Sequence, residues 1–245
     1  MSRKLILFDV DGTLTEPRKY VKKNMVKFLE ELRDKVKIGI VGGSNFEKQK
    51  EQLGENILDN FDYIFAENGL DYYKNGDQIY RISFVEYIGE YKYKKLVNWI
   101  LDYLANRLTD IPIKRGTFIE FRSGMINVSP IGRQCTIEER NEFERYDNIF
   151  KIREKMISYM KKELSELNLQ YSIGGQISFD IFPIGWDKRY CLKYIVDDFD
   201  EIYFFGDKTH EGGNDYEIYN DPRVIGYSVT SPSETIEICK KEFYK

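Results

Sequence analysis

The chain opens with a short apolar run that ends in two aspartates. Leu5 to Phe8 are apolar, and Asp9 and Asp11 follow at once, before a glycine and a threonine. An apolar run of this length, bounded by turn residues, is typical of a buried strand in a parallel sheet. Ligands of open α/β sheets bind at the carboxyl ends of the strands. The sequence therefore predicts that Asp9 and Asp11 lie at a ligand site.

The chemistry of this pair suggests phosphoryl transfer. Two carboxylates one residue apart repel each other unless a cation lies between them, and Mg²⁺ prefers such oxygen ligands. Beside a cation, Asp9 is a candidate nucleophile toward phosphorus, and Asp11 is a candidate proton donor and acceptor. A short string rich in Asp and Gly is also common in ordinary turns, so the motif needs support from the rest of the chain.

Composition narrows the class of protein. The 245 residues carry a formal net charge of -4 with both signs interspersed, which argues against a general nucleic-acid or membrane-surface binder. No apolar run approaches the roughly 18 residues of a membrane span, and no signal peptide is evident. Cys135, Cys191 and Cys239 lack disulfide or zinc spacing, which favours a cytoplasmic protein. The single histidine, His210, argues against a Ser-His-Asp triad.

The pattern of predicted elements changes twice along the chain. Strands and helices alternate in residues 1–80 and again in 186–245, which is typical of a parallel α/β sheet. Between them, residues 81–185 combine hairpins with long helices, one of them expected over Ile149–Leu167. A further helix, Asp187–Asp197, begins the second core segment. We predict an α/β fold, in which a Rossmann-like core with a parallel sheet carries an inserted α+β cap domain.

Other polar residues follow apolar runs in positions that suit phosphate binding. Ser44 comes between a strand and a helix, where a hydroxyl beside backbone N–H groups binds phosphate, although Ser is also an ordinary N-cap. Asp207 ends another predicted strand in a Gly-Asp pair, and Asp215 follows it. Lys188 begins a predicted helix, but surface lysines are common, so this position alone carries little weight. Strand-end acids among glycines are more often functional than acids on a helix face.

The order of these motifs resembles that of the haloacid-dehalogenase-like phosphotransferases. Within that superfamily, longer strings resemble the eukaryotic phosphomannomutase family, and they lie at residues 116–133, 174–180, 185–191 and 206–209. The resemblance covers essentially the whole chain. It implies interconversion of D-mannose 6-phosphate and α-D-mannose 1-phosphate through an aspartyl phosphate and a hexose 1,6-bisphosphate, which also acts as activator. The product would supply GDP-mannose synthesis for glycosylation.

The resemblance also implies roles for individual residues. The catalytic residues would be Asp9, Asp11, Ser44 and Lys188, and Mg²⁺ would be held by Asp9, Asp11 and Asp207. The sugar phosphate would be bound by Arg18, Arg122, Arg133, Arg140, Ser178 and Asp180. A second cation site would use Tyr219, Asp221 and Val224. The family resemblance further implies a homodimer joined through the cap.

Two other functions stay open at this stage. A sugar-phosphate phosphatase of the same superfamily would share the core chemistry and differ in the final acceptor. A catalytically dead sugar-phosphate sensor would be expected to lack Asp9 or Asp11, yet both are present. The arginines of the cap favour the mutase, because guanidinium groups bind phosphate in a bidentate way. Arg140 lies in the first turn of a predicted helix, where a cation is unfavourable unless an anion is bound nearby.

Overall fold

The computed structural model describes residues 2–17 and 19–244 and divides the chain into two compact units. The first, here called the core, consists of Met1–Arg81 with Gly185–Lys245. The second, here called the cap, is Ile82–Ile184. The mixed α/β architecture that the sequence predicts is confirmed. None of the helices in the described residues is long and apolar enough to cross a membrane.

The elements follow one another in three segments. The first core segment contains β1 (Lys4–Phe8), α1 (Lys23–Arg33), β2 (Lys37–Val41), α2 (Phe46–Leu53), α3 (Ile57–Asn60), β3 (Tyr63–Ala66), β4 (Asp71–Lys74) and β5 (Asp77–Arg81). The cap contains α4 (Phe84–Ile88), α5 (Glu90–Asp102), β6 (Ile119–Arg122), β7 (Met125–Val128), α6 (Ile137–Phe150), α7 (Ile152–Glu163), β8 (Leu169–Gly174) and β9 (Ser178–Pro183). The core resumes with β10 (Glu201–Gly206), α8 (Tyr216–Tyr219), β11 (Ile225–Ser228) and α9 (Pro232–Phe243).

The core sheet has the strand order β11-β10-β1-β2-β3-β4-β5. The first five strands in this order, from β11 to β3, are parallel. Strands β4 and β5 add an antiparallel hairpin at one edge. Strand β1 lies inside this sheet with both faces covered. Ile6 and Phe8 belong to one buried apolar cluster, and Leu5 and Leu7 belong to another. Burial on both faces explains why β1 is apolar at successive positions rather than at alternate ones.

The cap sheet is antiparallel, with the strand order β6-β7-β9-β8. Because successive side chains of a strand point to opposite faces, each strand here has an apolar and a polar side. Ile126 is paired with Ile181, and both are fully buried. The opposite face carries Glu120, Asn127 and Asp180, which lie directly across from one another on β6, β7 and β9. This polar face is therefore the one available for binding polar ligands.

Two of the predicted helices differ from the structure. The single helix expected over Ile149–Leu167 is broken, because Lys151 has left-handed backbone angles with φ of 56° and separates α6 from α7. The Asp147 carboxylate accepts from the backbone N–H of Arg153 at 2.9 Å, so it caps the new helix. The α-helix expected over Asp187–Asp197 is instead a 3₁₀ helix over Lys188–Tyr194.

Candidate active site

Three carboxylates meet where strands of the core sheet end. Asp9 follows β1, Asp207 follows β10, and Asp215 immediately precedes α8. An oxygen atom of each lies within 4.8 Å of the others. The parallel pairing of β1 with β10 places Phe8 beside Phe205, which brings the two strand ends together although they are far apart in sequence. Three carboxylates at this distance need a balancing positive charge.

Lys188 supplies one such charge. Its side chain is 1% exposed, and its Nζ contacts Oδ1 of Asp9 and, at 2.5 Å, Oδ1 of Asp215. Burial alone would lower the pKa of Lys188, but the two carboxylates raise it above its ordinary value. Burial raises the pKa of Asp9 to about 6, although Lys188 opposes this shift. Lys188 is therefore the ammonium that keeps the buried Asp9 ionised near neutral pH.

Asp207 carries an oxygen without a hydrogen-bond partner. Its Oδ1 is buried and accepts no hydrogen bond from any residue that the structure describes. Burial, followed by the charge of Asp215, raises the pKa of Asp207. Gly12 has a φ of +81°, and a Cβ at that position would lie 2.3 Å from Oδ2 of Asp207, so only glycine allows this approach. An orphaned carboxylate oxygen beside Asp9 fits a divalent cation.

A cavity of about 150 Å³ opens beside these carboxylates. Ser44 lies at its wall, together with Asp9 and Asp11. Ser44 is not the N-cap of α2, since Asn45 takes that position and its side chain accepts from the N–H of Lys48 at 3.0 Å. No hydrogen bond of the Ser44 hydroxyl is found within 2–17 and 19–244. The hydroxyl therefore borders a cavity of a size that suits a phosphoryl group.

Two glutamines on the buried side of α2 line the same cavity, and the sequence reasoning missed both. Gln52 donates from Nε2 to Oδ1 of Asp11 at 2.8 Å and is 6% exposed. Gln49 is fully buried, and its Oε1 has no hydrogen-bond partner in the described part of the chain. The available signal was their spacing, because glutamines three residues apart share the helix face that also carries the buried Leu53.

The cap brings together several of the other predicted residues on the polar face of its sheet. Arg133 donates from Nη1 to Oδ1 of Asn127 at 2.6 Å. Asn127, 4% exposed, donates in turn to Oδ1 of Asp180 at 2.7 Å and to Oγ of Ser178 at 3.1 Å. The Glu120 carboxylate forms ion pairs with both Arg122 and Arg133. Sequence reasoning missed Asn127 and Glu120, because their position between the predicted residues depends on strand register.

Arg140 and Arg18 differ from the other predicted arginines. Arg140 lies in α6 and donates to two backbone carbonyls, to Arg133 at 2.7 Å from Nη2 and to Cys135 at 3.4 Å from Nε. It therefore contacts the loop that carries Arg133. Arg18 lies outside the described residues.

At the predicted second cation site, a guanidinium group already pairs with the carboxylate. Both carboxylate oxygens of Asp221 accept from Arg223, at 2.8 Å from Nε and 2.7 Å from Nη2. The Asp221 carbonyl accepts from the N–H of Val224 at 3.0 Å. The Tyr219 carbonyl faces Gly226, where an added Cβ would lie 2.7 Å from it. A metal ion bound by the Asp221 side chain would have to displace this guanidinium, so the site stays a prediction.

Comparisons with known proteins agree with one another. The family model of eukaryotic phosphomannomutase matches residues 25–245. The chain is 58% identical over 239 residues to a phosphomannomutase of Dendrobium officinale, covering 98% of this chain and 94% of that one. It is 57% identical over 243 residues to a phosphomannomutase of Schizosaccharomyces pombe, again covering 98% and 94%.

Solved structures share the fold at low identity. Aspergillus fumigatus trehalose-6-phosphate phosphatase aligns with a TM-score of 0.63 at 15% identity, covering 98% of this chain and 92% of that one. Plasmodium falciparum IMP-nucleotidase aligns with a TM-score of 0.61 at 18% identity, covering 100% and 69%. The high identity to named phosphomannomutases, rather than this shared fold, decides the family. The chain belongs to the eukaryotic phosphomannomutase family.

Proposed function

We propose that this enzyme interconverts D-mannose 6-phosphate and α-D-mannose 1-phosphate, with Asp9 as the residue that carries the phosphoryl group. The observation that supports this most directly is the buried Lys188 between Asp9 and Asp215, next to a small cavity bordered by Ser44. A carboxylate held ionised beside a pocket of phosphoryl size is suited to attack phosphorus. The assignment of mannose as the sugar comes from the names of the similar proteins.

The contacts of Asp9 support an assignment of the oxygen that attacks phosphorus. Lys188 contacts Oδ1, which leaves Oδ2 as the oxygen that we assign to attack. A bond forms between this oxygen and phosphorus while the bond from phosphorus to the sugar oxygen breaks. The sugar oxygen leaves with a proton from Asp11, and in the reverse transfer Asp11 takes that proton back. Ser44 would hold the phosphoryl oxygens in the cavity.

Gln52 gives Asp11 a defined orientation. Its amide donates to Oδ1 of Asp11, so the other carboxyl oxygen is the one assigned to carry the proton. Gln52 is itself held by the fold, because its backbone carbonyl accepts from the N–H of Val21 at 2.8 Å. A fixed carboxyl group beside the reacting oxygen removes part of the orientational cost of proton transfer.

The carboxylates fit a resident Mg²⁺. Asp9, the backbone carbonyl of Asp11 and Asp207 would hold it, with the orphaned Oδ1 of Asp207 as one ligand atom. When bound, Mg²⁺ neutralises charge that develops on the transferring phosphoryl group. Asp215 is assigned to Lys188 rather than to the metal, because its other oxygen, Oδ2, accepts from the N–H of Lys208 at 3.0 Å.

The cap residues are proposed to bind the rest of the substrate. The phosphate remote from the reaction would be held by Arg122, Arg133 and Arg140, with Arg18 as a further contact. Ser178 and Asp180 would receive sugar hydroxyls, and Asn127 holds both of their side chains in place. Charge-assisted hydrogen bonds from guanidinium groups suit a phosphate better than neutral donors do.

The full cycle needs a bisphosphate. Asp9, phosphorylated beforehand by a hexose 1,6-bisphosphate, donates its phosphoryl group to the free hydroxyl of the bound monophosphate. The resulting bisphosphate reorients, and its other phosphate returns to Asp9. We further propose Mg²⁺ as cofactor, a homodimer joined through the cap, a cytoplasmic location and a role in supplying GDP-mannose. The proposed partners are hexose phosphates, with no nucleic acid and no membrane.

One assay tests the reaction and its nucleophile together. Mannose 1-phosphate is supplied with catalytic hexose 1,6-bisphosphate and Mg²⁺, and mannose 6-phosphate and inorganic phosphate are measured in parallel. We expect mannose 6-phosphate as the main product, and no turnover by Asp9→Asn, whose amide cannot attack phosphorus. Asp77→Asn, an exposed change on β5 of the same unit, is the matched control. Release of phosphate on nearly every turnover without mannose 6-phosphate would establish the sugar-phosphate phosphatase instead.

A further inference from the structure

One carboxylate lies between two of the cap arginines. Oε2 of Glu120 accepts from Nη2 of Arg122 at 2.7 Å and lies 3.1 Å from Nε of Arg133. The Glu120 side chain is 36% exposed, and those of Arg122 and Arg133 are 42% and 30% exposed. All three groups are thus open to solvent and can exchange partners. A single carboxylate oxygen shared by two guanidiniums is the place that a phosphate oxygen would take.

Strand geometry explains why Glu120 lies there. Glu120 is two residues before Arg122 on β6, so both side chains point to the same face of the sheet. Glu120 is also directly across from Asn127 on β7, and Asn127 is the acceptor for Arg133. Any residue at position 120 therefore faces both arginines, and in this chain that residue is an acid.

We propose that Glu120 is an affinity-determining residue that occupies the position of the substrate phosphate and limits how tightly the cap holds it; this rests on the proposed function. Without ligand, Glu120 keeps the two guanidiniums together despite their mutual repulsion. When a phosphate binds, it must take these donors from Glu120. The three side chains carry one net positive charge instead of the two that the arginines alone would carry, so the attraction for a phosphate dianion is reduced.

A reduced affinity suits a mutase. The same arginines must hold the phosphate of either monophosphate and must release it when the bisphosphate reorients. Interactions that bind every species equally tightly lower KM without raising kcat. Binding that is too tight also slows the release of the bound phosphate. An internal carboxylate that competes for the guanidiniums weakens the bound state while leaving the arginines in position for the next phosphate.

The test removes the charge of Glu120 and keeps its shape. Glu120→Gln is compared with Glu154→Gln, which removes an exposed cap carboxylate on α7 that pairs with Lys151. Binding of inorganic phosphate and of mannose 1-phosphate is measured by calorimetry, and kcat and KM are measured for the mutase reaction. We expect Glu120→Gln to bind both anions about threefold to tenfold more tightly, the effect of roughly 0.7–1.4 kcal/mol. KM should fall, kcat should fall as release slows, and Glu154→Gln should match the native protein.

The binding measurements can also contradict the proposal. Weaker or unchanged binding of inorganic phosphate by Glu120→Gln would overturn the proposal, because a carboxylate that only positions the arginines would weaken binding when it is lost. Glu120→Ala removes the hydrogen bonds as well as the charge, and tighter binding by this variant too would support competition. The binding measurements do not depend on whether the enzyme catalyses the mutase reaction. A native enzyme that makes no mannose 6-phosphate refutes the proposed function, while the calorimetry still decides the role of Glu120.

Discussion

We predict that the stability of the cap depends strongly on the buried ion pair between Asp147 and Arg153. Their side chains are 8% and 6% exposed, and Nε of Arg153 donates to Oδ2 of Asp147 at 2.7 Å. Nη1 of Arg153 also donates to the carbonyls of Gly175 and Ser178, at 2.9 Å and 3.0 Å. Arg153 thus links α7 to the turn between β8 and β9 and to the first residue of β9, Ser178, which is a proposed substrate residue.

The size of the effect follows from burial. Removing one partner of a buried pair leaves an uncompensated charge and costs about 3–5 kcal/mol. We therefore expect Arg153→Met to lower the free energy of unfolding of the cap by about that amount. Replacing both partners removes the charge problem, so Arg153→Met with Asp147→Met should cost less than the sum of the two single changes, by at least about 1.5 kcal/mol. Arg145→Met, at an exposed position on α6, is the matched control and should stay within about 0.5 kcal/mol.

The assay follows the cap within the full chain. Peptide-level hydrogen exchange reports the opening free energy of β8 and β9 separately from that of the core. The same variants are assayed for activity, and we expect KM for mannose 1-phosphate to rise more than kcat falls, because the start of β9, which carries Ser178, is displaced. The reasoning is refuted if Arg153→Met costs less than about 1 kcal/mol, or if the two single changes simply add.

Further predictions concern the reaction, the assembly and the pH dependence of stability. Asp11→Asn should slow the mutase by a factor of about 10² to 10⁴, seen in kcat, since it removes the proposed proton donor. Arg140→Ala should lower mutase flux at least about tenfold and raise the phosphate released per sugar isomerised; an unchanged ratio would contradict a role in holding the intermediate. Sedimentation of the full chain at micromolar concentration should give a homodimer, and a monomer would count against assembly through the cap. Burial alone would raise the pKa of Asp62, yet hydrogen bonds from Lys37, the Ile38 amide and Arg33 hold it below its ordinary value. Stability from Asp62 should therefore be complete above the unfolded pKa and lost as pH falls through the folded one, and urea titrations of Asp62→Asn should lack this loss.

Sequence reasoning succeeded where the signal is local. The uninterrupted apolar run of β1 reveals burial on both faces, and Asp9 must then come at its carboxyl end. The change from single strands to hairpins reveals an α/β core with an α+β insertion. Lys188 shows the limit of this reasoning, because many surface lysines have the same local sequence. Its burial between Asp9 and Asp215 results from the packing of segments more than 170 residues apart, and only the family resemblance identified it beforehand.

What the sequence did not reveal depends on long-range register or on single backbone angles. The break at Lys151 was missed because Ile149, Ile152 and Met156 keep helical spacing on both sides of it, while the left-handed backbone there leaves no trace in that pattern. Glu120 and Asn127 were missed because they contact the arginines only after β6 and β7 pair in one register. A shift of β6 by one residue would turn Glu120 to the apolar face, away from Asn127.

The two candidate sites share one electrostatic arrangement with opposite signs. In the core, two carboxylates, those of Asp9 and Asp215, contact one ammonium, that of Lys188, and in the cap two guanidiniums share one carboxylate, that of Glu120. Their difference lies in burial. Lys188 is 1% exposed, so its charge is a fixed part of a site that must stay poised for a covalent step. Glu120 is 36% exposed, so water can solvate it when a phosphate takes its two guanidinium partners, and the exchange costs little. A fixed counter-charge suits Asp9, the residue proposed to form and break bonds, and an exchangeable one suits the arginines proposed to hold a phosphate and then release it.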